Sequence, residues 1–220
     1  LSKGYNAKSG RYLASLTFKH ETLPESKICP IPLYNSKCSA LQQAVMDNLE
    51  NQNILVDPQK HNIQVKKISP SFILQKGRAK HKKLDDCSIE EIRWVVAFNN
   101  LNDCLLPKPS KPTSSKNILS FLARHRYHIY ADLHNSYFQI PIAKKDWQWM
   151  GVRTPFKGVR VLTRAGQGLL NSEHDLDELI SRILGNELSK GICYAERDDI
   201  AVGGQTIQET IQNWKIVLTK

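Results

Sequence analysis

The stretch GICYAERDDIAVGG, Gly191–Gly204, decides the fold. Strand-forming residues flank two adjacent acids: Ile192, Cys193 and Tyr194 before Asp198 and Asp199, then Ile200, Ala201 and Val202 after them. This predicts a hairpin with the acids at or near its tip. Two neighbouring carboxylates repel, and a half-buried hairpin gains nothing from them unless something cationic sits there. A third acid, Asp132, lies in a similar setting within RYHIYADLHNSYFQI, where Tyr127 to Leu133 reads as a strand. Three carboxylates presented by apolar strands point to a divalent-metal site. Two metals held that way can clamp the attacking and leaving oxygens of a phosphoryl transfer. The blander reading of Asp-Asp is a polar turn, and of Asp132 alone a helix cap or a solvated strand end.

Elements outside the hairpin follow from periodicity. Ser39 to Val56 reads as an amphipathic helix, with Ser39 and Gln42 as a capping box and Leu41, Val45 and Leu49 on one stripe. Asp57-Pro58 ends it. Ser71 to Gln75 and Arg93 to Phe98 read as strands. Between them Arg78, Lys80, Lys82 and Lys83 form a cationic connection, either a solvated loop or a phosphate-facing hairpin. Pro107, Pro109 and Pro112 mark an extended connector. A short helix starts near Ser115 and runs through Ile118, Leu119 and Leu122. Trp149 to Arg153 and Val159 to Thr163 pair around Pro155-Phe156-Lys157-Gly158. Ser172 caps a longer helix with Leu176, Leu179, Ile180, Ile183 and Leu184 on its apolar face, ended by Gly185 or Gly191. Thr206 and Glu209 cap a last helix whose apolar face is Ile207, Ile211, Trp214 and Leu218. Helices and strands alternate without βαβ regularity, so the class is α+β.

The 220 residues are enough for a sizeable core, and 40% hydrophobic with 24% charged residues fits a globular protein. The net charge of +10 favours a polyanionic partner, most simply nucleic acid. Five cysteines, Cys29, Cys38, Cys87, Cys104 and Cys193, make no CxxC pair and no zinc pattern, which predicts a reducing intracellular setting. His125, His128, His134 and His174 show no ligand spacing and read as surface or packing residues. No apolar run is long enough to span a membrane and no signal peptide is visible, so neither a membrane role nor secretion is expected. The ends, Leu1 and Lys220, read as those of a piece of a longer polypeptide.

The order of segments resembles the reverse transcriptases of LTR retrotransposons and retroviruses, from about Cys29 to Lys220. The family's helix with an apolar "G-I-I" step is similar to LQQAVMDNLENQNILVDP, and its Ser-Pro strand to SPSFILQKGRAK. "R-x-V-V-D-F-R-x-L-N" appears as RWVVAFNNLN, "L-D-L-x-x-G-Y-x-Q-I-P" as ADLHNSYFQIPI, and "T-P-F-G" as TPFKG. "F-G-L-x-N-x-P" appears as GQGLLNSEHD, and "Y-x-D-D" as ERDD. Any one of these is weak; their shared order carries the resemblance.

The resemblance implies a right-hand polymerase fold without its thumb: fingers and palm, with an antiparallel palm sheet backed by helices. Residues 1–28 would be a lead-in, 29–106 and 140–171 the fingers, and 107–139 and 172–220 the palm. Asp132, Asp198 and Asp199 match the metal-binding, catalytic carboxylates. Arg93 matches the arginine on incoming nucleotide phosphates, and Lys76 falls near the family's finger lysine. Tyr137 matches the aromatic that crowds a 2′-hydroxyl, and Gln167 and Gly168 match a segment contacting nucleotide and template. The implied reaction is RNA-directed DNA synthesis, transferring a nucleotidyl group from a dNTP to a primer 3′-hydroxyl. Two Mg²⁺ ions, with Mn²⁺ as a substitute, are its implied cofactors. RNA/DNA template–primer and dNTP are the implied partners, with protease, RNase H and integrase as further pol polyprotein domains. The implied location is the cytoplasm or a virus-like particle. The chain departs from the pattern at Glu196, where the family has tyrosine, and at Arg197, a cation that could pair with Asp198 and compete with Mg²⁺. Ala97, Asn99, Ala165-Gly166 and the SEH of residues 172–174 depart as well. They favour an alternative: a decayed, non-catalytic relic that keeps the fold and nucleic-acid binding.

Overall fold

A computed structural model describes residues 5–6, 11–20, 34–109 and 115–220. In chain order the elements are β1 (Tyr5–Asn6), β2 (Arg11–Tyr12), α1 (Ser36–Asn51), β3 (Leu55–Val56), β4 (Ile68–Ser69), β5 (Ser71–Gln75), β6 (Ile92–Val96) and α2 (Asn99–Asn102). There follow α3 (Ser115–Ala123), β7 (Tyr127–Asp132), β8 (Gly151–Arg153), β9 (Val159–Leu162), α4 (Ser172–Ser189), β10 (Cys193–Glu196), β11 (Asp199–Gly204) and α5 (Ile207–Leu218). The chain divides into two compact units, one of residues 1–107 with 138–172, the other of 108–137 with 173–220. No helix among the described residues is long and apolar enough to cross a membrane. The expected α+β class is what the structure has.

In the first unit, β3, β9, β8 and β4 form a sheet in that order, antiparallel except for the parallel β8–β4 pair. Separately, β5 and β6 form an antiparallel hairpin with Leu74 opposite Arg93. Cys38 of α1 packs with Ile73, Ala79, Cys87 and Ile92 in a buried cluster, against which Tyr34, Leu41, Val45, Leu84 and Trp94 lie. That cluster anchors both ends of the cationic connection. Tyr12 and Ala14 of the lead-in are buried, and Ala14 bridges to Ile142. The helix α1 starts at Asn35, whose Oδ1 accepts from Cys38 N at 2.9 Å, and not at the expected Ser39 box. It also ends early. Asn53 takes a left-handed φ of 55°, a helix stop that asparagine tolerates, and Leu55–Val56 becomes a strand. A 3₁₀ helix at Lys144–Trp149, absent from the sequence expectation, precedes β8.

In the second unit, β10, β11 and β7 form an antiparallel sheet with β11 in the centre. Alternation sends Asp199, Ala201 and Gly203 to one face and Ile200, Val202 and Gly204 to the other. The helix α5 covers the second face, where a Cβ on Gly204 would meet Thr210 Oγ1 at 2.6 Å. The end of α3 covers part of the first. A Cβ on Gly203 would sit 2.4 Å from His125 Cγ, so only glycine admits that approach. The helix α4 runs through Gly185 and stops before Gly191, which takes a φ of +68°. Its buried stripe is Leu176, Ile180 and Leu184, whereas Ile183, expected on that face, is exposed. The expected apolar face of α5 is likewise exposed at Ile207, Ile211 and Leu218, and the buried residues are Thr210 and Val217. Thr210 packs against the backbone at Gly204, where there is room only for a small partner.

Four of the expected cysteines, Cys38, Cys87, Cys104 and Cys193, are buried free thiols. Cys29 and Ser110–Pro112 of the connector lie outside the described residues.

Candidate active site

The antiparallel register sets the geometry of the acids. Asp199 is the cross-strand partner of Asp132 on one side and of Glu196 on the other. Cross-strand partners project to one face, so Glu196, Asp199 and Asp132 make a row across the sheet. Tyr194, Ala201 and Tyr130 make the next row on that face. Asp198 stands in the two-residue turn beside Arg197, whose φ is 57°. Leu133 N donates to Asp198 O at 2.8 Å and ties the turn to the end of β7. A cleft of about 730 Å³ opens here, lined by Asp132, Asp198 and Asp199 with Tyr130, Tyr194 and Ile118 among others.

Electrostatics in the row is unfavourable without a cation. Asp199 is exposed at its strand end, yet partial loss of hydration raises its carboxyl above the ordinary value. The charges of Asp198, Asp132 and Glu196 add to that rise. Tyr194 donates from its hydroxyl to Glu196 Oε2 at 2.7 Å. Burial and then that acceptor push the Tyr194 phenol up to about 12. Tyr137, in the 3₁₀ turn Ser136–Gln139 after β7, is half-buried. Its phenol is raised by burial first, then by Glu173 and Asp198.

Arg197 does not pair with Asp198. Its Nη2 lies 3.0 Å from Glu173 Oε2 of α4, and its backbone N donates to Asp177 Oδ1 at 3.3 Å. The left-handed turn points the guanidinium toward α4 and leaves the strand-end acids without it.

The other predicted residues lie in the first unit. Arg93 Nη1 donates to Gln167 Oε1 at 3.2 Å. Among the described residues Arg93 forms no ion pair with Glu90 or Glu91, and Glu91 pairs with Lys82. Lys76 is exposed at the end of β5, and its N donates to Glu91 O at 2.7 Å. Gly168 takes a φ of +84°, and its carbonyl accepts from Asn102 Nδ2 at 2.8 Å. Asn102 Oδ1 in turn accepts from Leu170 N at 2.8 Å. Asn102, which sequence reasoning did not single out, therefore clamps the Gln167–Leu170 loop from both sides. Its place at the end of the RWVVAFNNLN motif was the available signal.

Among the described residues, the ligand atoms that gather within 4.8 Å are those of His174, Asp175 and Glu178 on α4, not those of the three aspartates. His174, expected in a surface or packing role, lies one helical turn from Glu178, its Nε2 3.8 Å from Oε2. That cluster already holds cations. Lys108 Nζ is 2.5 Å from Asp175 Oδ1, and Arg182 Nη2 is 2.7 Å from Glu178 Oε1. His174 Nδ1 is 2.7 Å from Pro109 O.

No protein-family model matches the chain, and no curated protein matches it. Solved structures do. The protease–reverse transcriptase of prototype foamy virus, as a selenomethionine-labelled CSH mutant, aligns at a TM-score of 0.71 and 22% identity over 93% of this chain. The foamy viral protease–reverse transcriptase in complex with an RNA/DNA hybrid aligns at 0.72 and 21% over 93%. The dRH form of that protein, in complex with double-stranded DNA, aligns at 0.63 and 19% over 92%. The chain spans 25%, 25% and 33% of those proteins respectively. At these identities the likeness shows the fold: the chain folds as the corresponding part of a reverse transcriptase.

Proposed function

We propose that this chain is the polymerase portion of a reverse transcriptase, its first unit serving as fingers and its second as palm. The observation that carries the reading is the register Asp132–Asp199, with Asp198 in the adjoining turn of a reverse-transcriptase-like sheet. The reaction is transfer of a nucleotidyl group from a dNTP to a primer 3′-hydroxyl on an RNA or DNA template. The net charge of +10 supports a nucleic-acid partner. An origin in an LTR retroelement, with protease, RNase H and integrase as companion domains and the cytoplasm or a virus-like particle as location, completes the reading.

The residues fit divalent cations. The donors are all oxygen, which suits Mg²⁺ or Mn²⁺, and the Asp199 carboxyl is raised first by burial and then by the charges of Asp198, Asp132 and Glu196. Asp132 and Asp198 would hold the ions, and Asp199 would support them. The bound ions would neutralise charge on the reacting phosphate and on the attacking and leaving oxygens. The chain's own groups do the positioning that such a transfer chiefly needs. Arg93, oriented by Gln167, offers fixed charge-assisted donors to phosphate oxygens. Lys76 adds a mobile cation. Tyr137 presents a ring where it can crowd a sugar 2′-hydroxyl.

A second reading, a relic that binds nucleic acid without catalysis, is favoured by Glu196, which stands in the acid row and is held there by Tyr194. Single-nucleotide primer extension on an RNA template with Mg²⁺ or Mn²⁺ separates the two. Addition by the chain and none by Asp198→Asn establishes the polymerase. Retained binding of an RNA/DNA hybrid without addition by either protein establishes the relic.

A further inference from the structure

Lys67 is 4% exposed and Cys104 6% exposed, both within the first unit. Lys67 Nζ lies 3.3 Å from Cys104 Sγ. No carboxylate among the described residues pairs with this ammonium, an unusual state for a buried lysine. The thiol in turn donates to Asn100 O at 3.4 Å, so the sulfur is held with a lone pair toward the nitrogen. The other described cysteines differ. Cys38 donates to Asp85, and burial with that carboxylate pushes its thiol up to about 11. Burial and Glu187 push Cys193 up to about 11 as well. Cys87 donates to Lys83 O. Cys104 is therefore the described cysteine with a lysine nitrogen at its sulfur, close enough for the two to be joined once the sulfur is oxidised.

We propose that Lys67 and Cys104 form a redox-sensitive covalent pair, joined by hydrogen peroxide through a sulfur–nitrogen bond. In the first step Cys104 Sγ attacks one peroxide oxygen. The S–O bond forms, the O–O bond breaks, and the leaving hydroxide takes the thiol proton as water, giving a sulfenic acid. In the second, the Lys67 amine, after releasing one proton to solvent, attacks the sulfur. The N–S bond forms, the S–O bond breaks, and hydroxide leaves with a second amine proton as water. Sulfur is oxidised by two electrons, and the peroxide is reduced to two waters. A thiol reductant reverses the join. The link would close the loop that carries the β5–β6 hairpin, with Arg93 and Lys76 on it, and so restrain that hairpin.

The test treats the full chain with hydrogen peroxide and reads the peptides by mass spectrometry. The expected product joins the peptides carrying Lys67 and Cys104, two hydrogens lighter than their sum, is not cut by trypsin after Lys67, and is separated by dithiothreitol. The melting temperature should rise on oxidation and fall back on reduction. Lys67→Arg keeps the cation and should leave Cys104 as a sulfenic acid that a dimedone probe captures, with no rise in melting temperature. Cys104 oxidised past sulfenic acid in the wild-type chain with Lys67 still cleaved overturns the proposal. So does Cys104 left intact while Cys38, Cys87 or Cys193 oxidises; both readings come from the wild-type chain and need no variant to fold.

Discussion

Arg197 reaches across to Glu173, with Nη2 3.0 Å from Oε2, and so turns its charge away from the acids on either side of it in the sequence. Both side chains are about half exposed. Such a pair is worth about 0.2–1 kcal/mol, because water screens it and two long side chains lose freedom. A double-mutant cycle with Arg197→Ala and Glu173→Ala should give a coupling in that range. If Arg197 competed with metal at Asp198, Arg197→Ala would tighten Mn²⁺ binding. The expected outcome is an unchanged Mn²⁺ affinity by titration.

Asp199 carries a raised carboxyl in the folded chain, so folding disfavours its ionised form. The sign follows. Below the ordinary carboxylate range both folded and unfolded forms are protonated and there is no penalty. As pH rises past the unfolded value and then the folded one, the unfolded chain gains by releasing its proton first, and stability is lost. Asp199→Asn should therefore melt higher than the wild-type chain at pH 7, with the difference gone near pH 3. A difference that grew on acidification would mean that Asp199 is stabilised as a carboxylate, against the charges around it.

The burial of α4 and α5 gives opposite expectations for residues of the same type. Ile180 of α4 is 6% exposed and Ile211 of α5 is 45% exposed. Ile180→Ala should cost about 2–5 kcal/mol, combining lost transfer energy with a cavity. Ile211→Ala should stay within about 0.5 kcal/mol. Equal losses in urea unfolding would place the predicted α5 stripe in contact with the core after all.

Gly203 tests the close approach of α3. Gly203→Ala would drive a methyl into the His125 ring and should cost about 1–3 kcal/mol. Gly77→Ala, where nothing lies within 4 Å and no positive φ is required, should be neutral or slightly stabilising. Chemical unfolding of the two variants checks the contrast.

These cases show which parts of the fold were legible in the sequence. The β10–β11 hairpin and the strand β7 were, because period-two apolar runs and a short polar tip are local signals. The start of α1 was misplaced because Ser39 and Gln42 imitate a capping box, while the true cap, Asn35, is followed by Cys38, Gln42 and Met46 on the buried side. The face of α5 was misread because helical periodicity shows that a stripe exists, not which stripe meets the sheet, and at Gly204 there is room only for a small partner, Thr210. Nor could local pattern show that Arg197 would turn to Glu173 or that Asn102 would clamp the loop after Gln167. Each of those depends on a chain reversal or on side chains from distant segments.

Tyr137 follows β7 by a single turn, and its phenol is raised by burial and by Glu173 and Asp198, which places a half-buried ring near the acidic turn. Under the polymerase reading, a ring there excludes a 2′-hydroxyl by steric crowding, not by hydrogen bonding. Tyr137→Phe should therefore keep the preference for dNTP over rNTP, because the ring remains. Tyr137→Ala should lower that preference by roughly tenfold or more, since it removes the obstacle to a single hydroxyl. The measurement is the ratio of kcat/KM for the two nucleotides in single-nucleotide extension. A loss in Tyr137→Phe as large as in Tyr137→Ala would assign discrimination to the hydroxyl, and an unchanged ratio in both would remove Tyr137 from the sugar site.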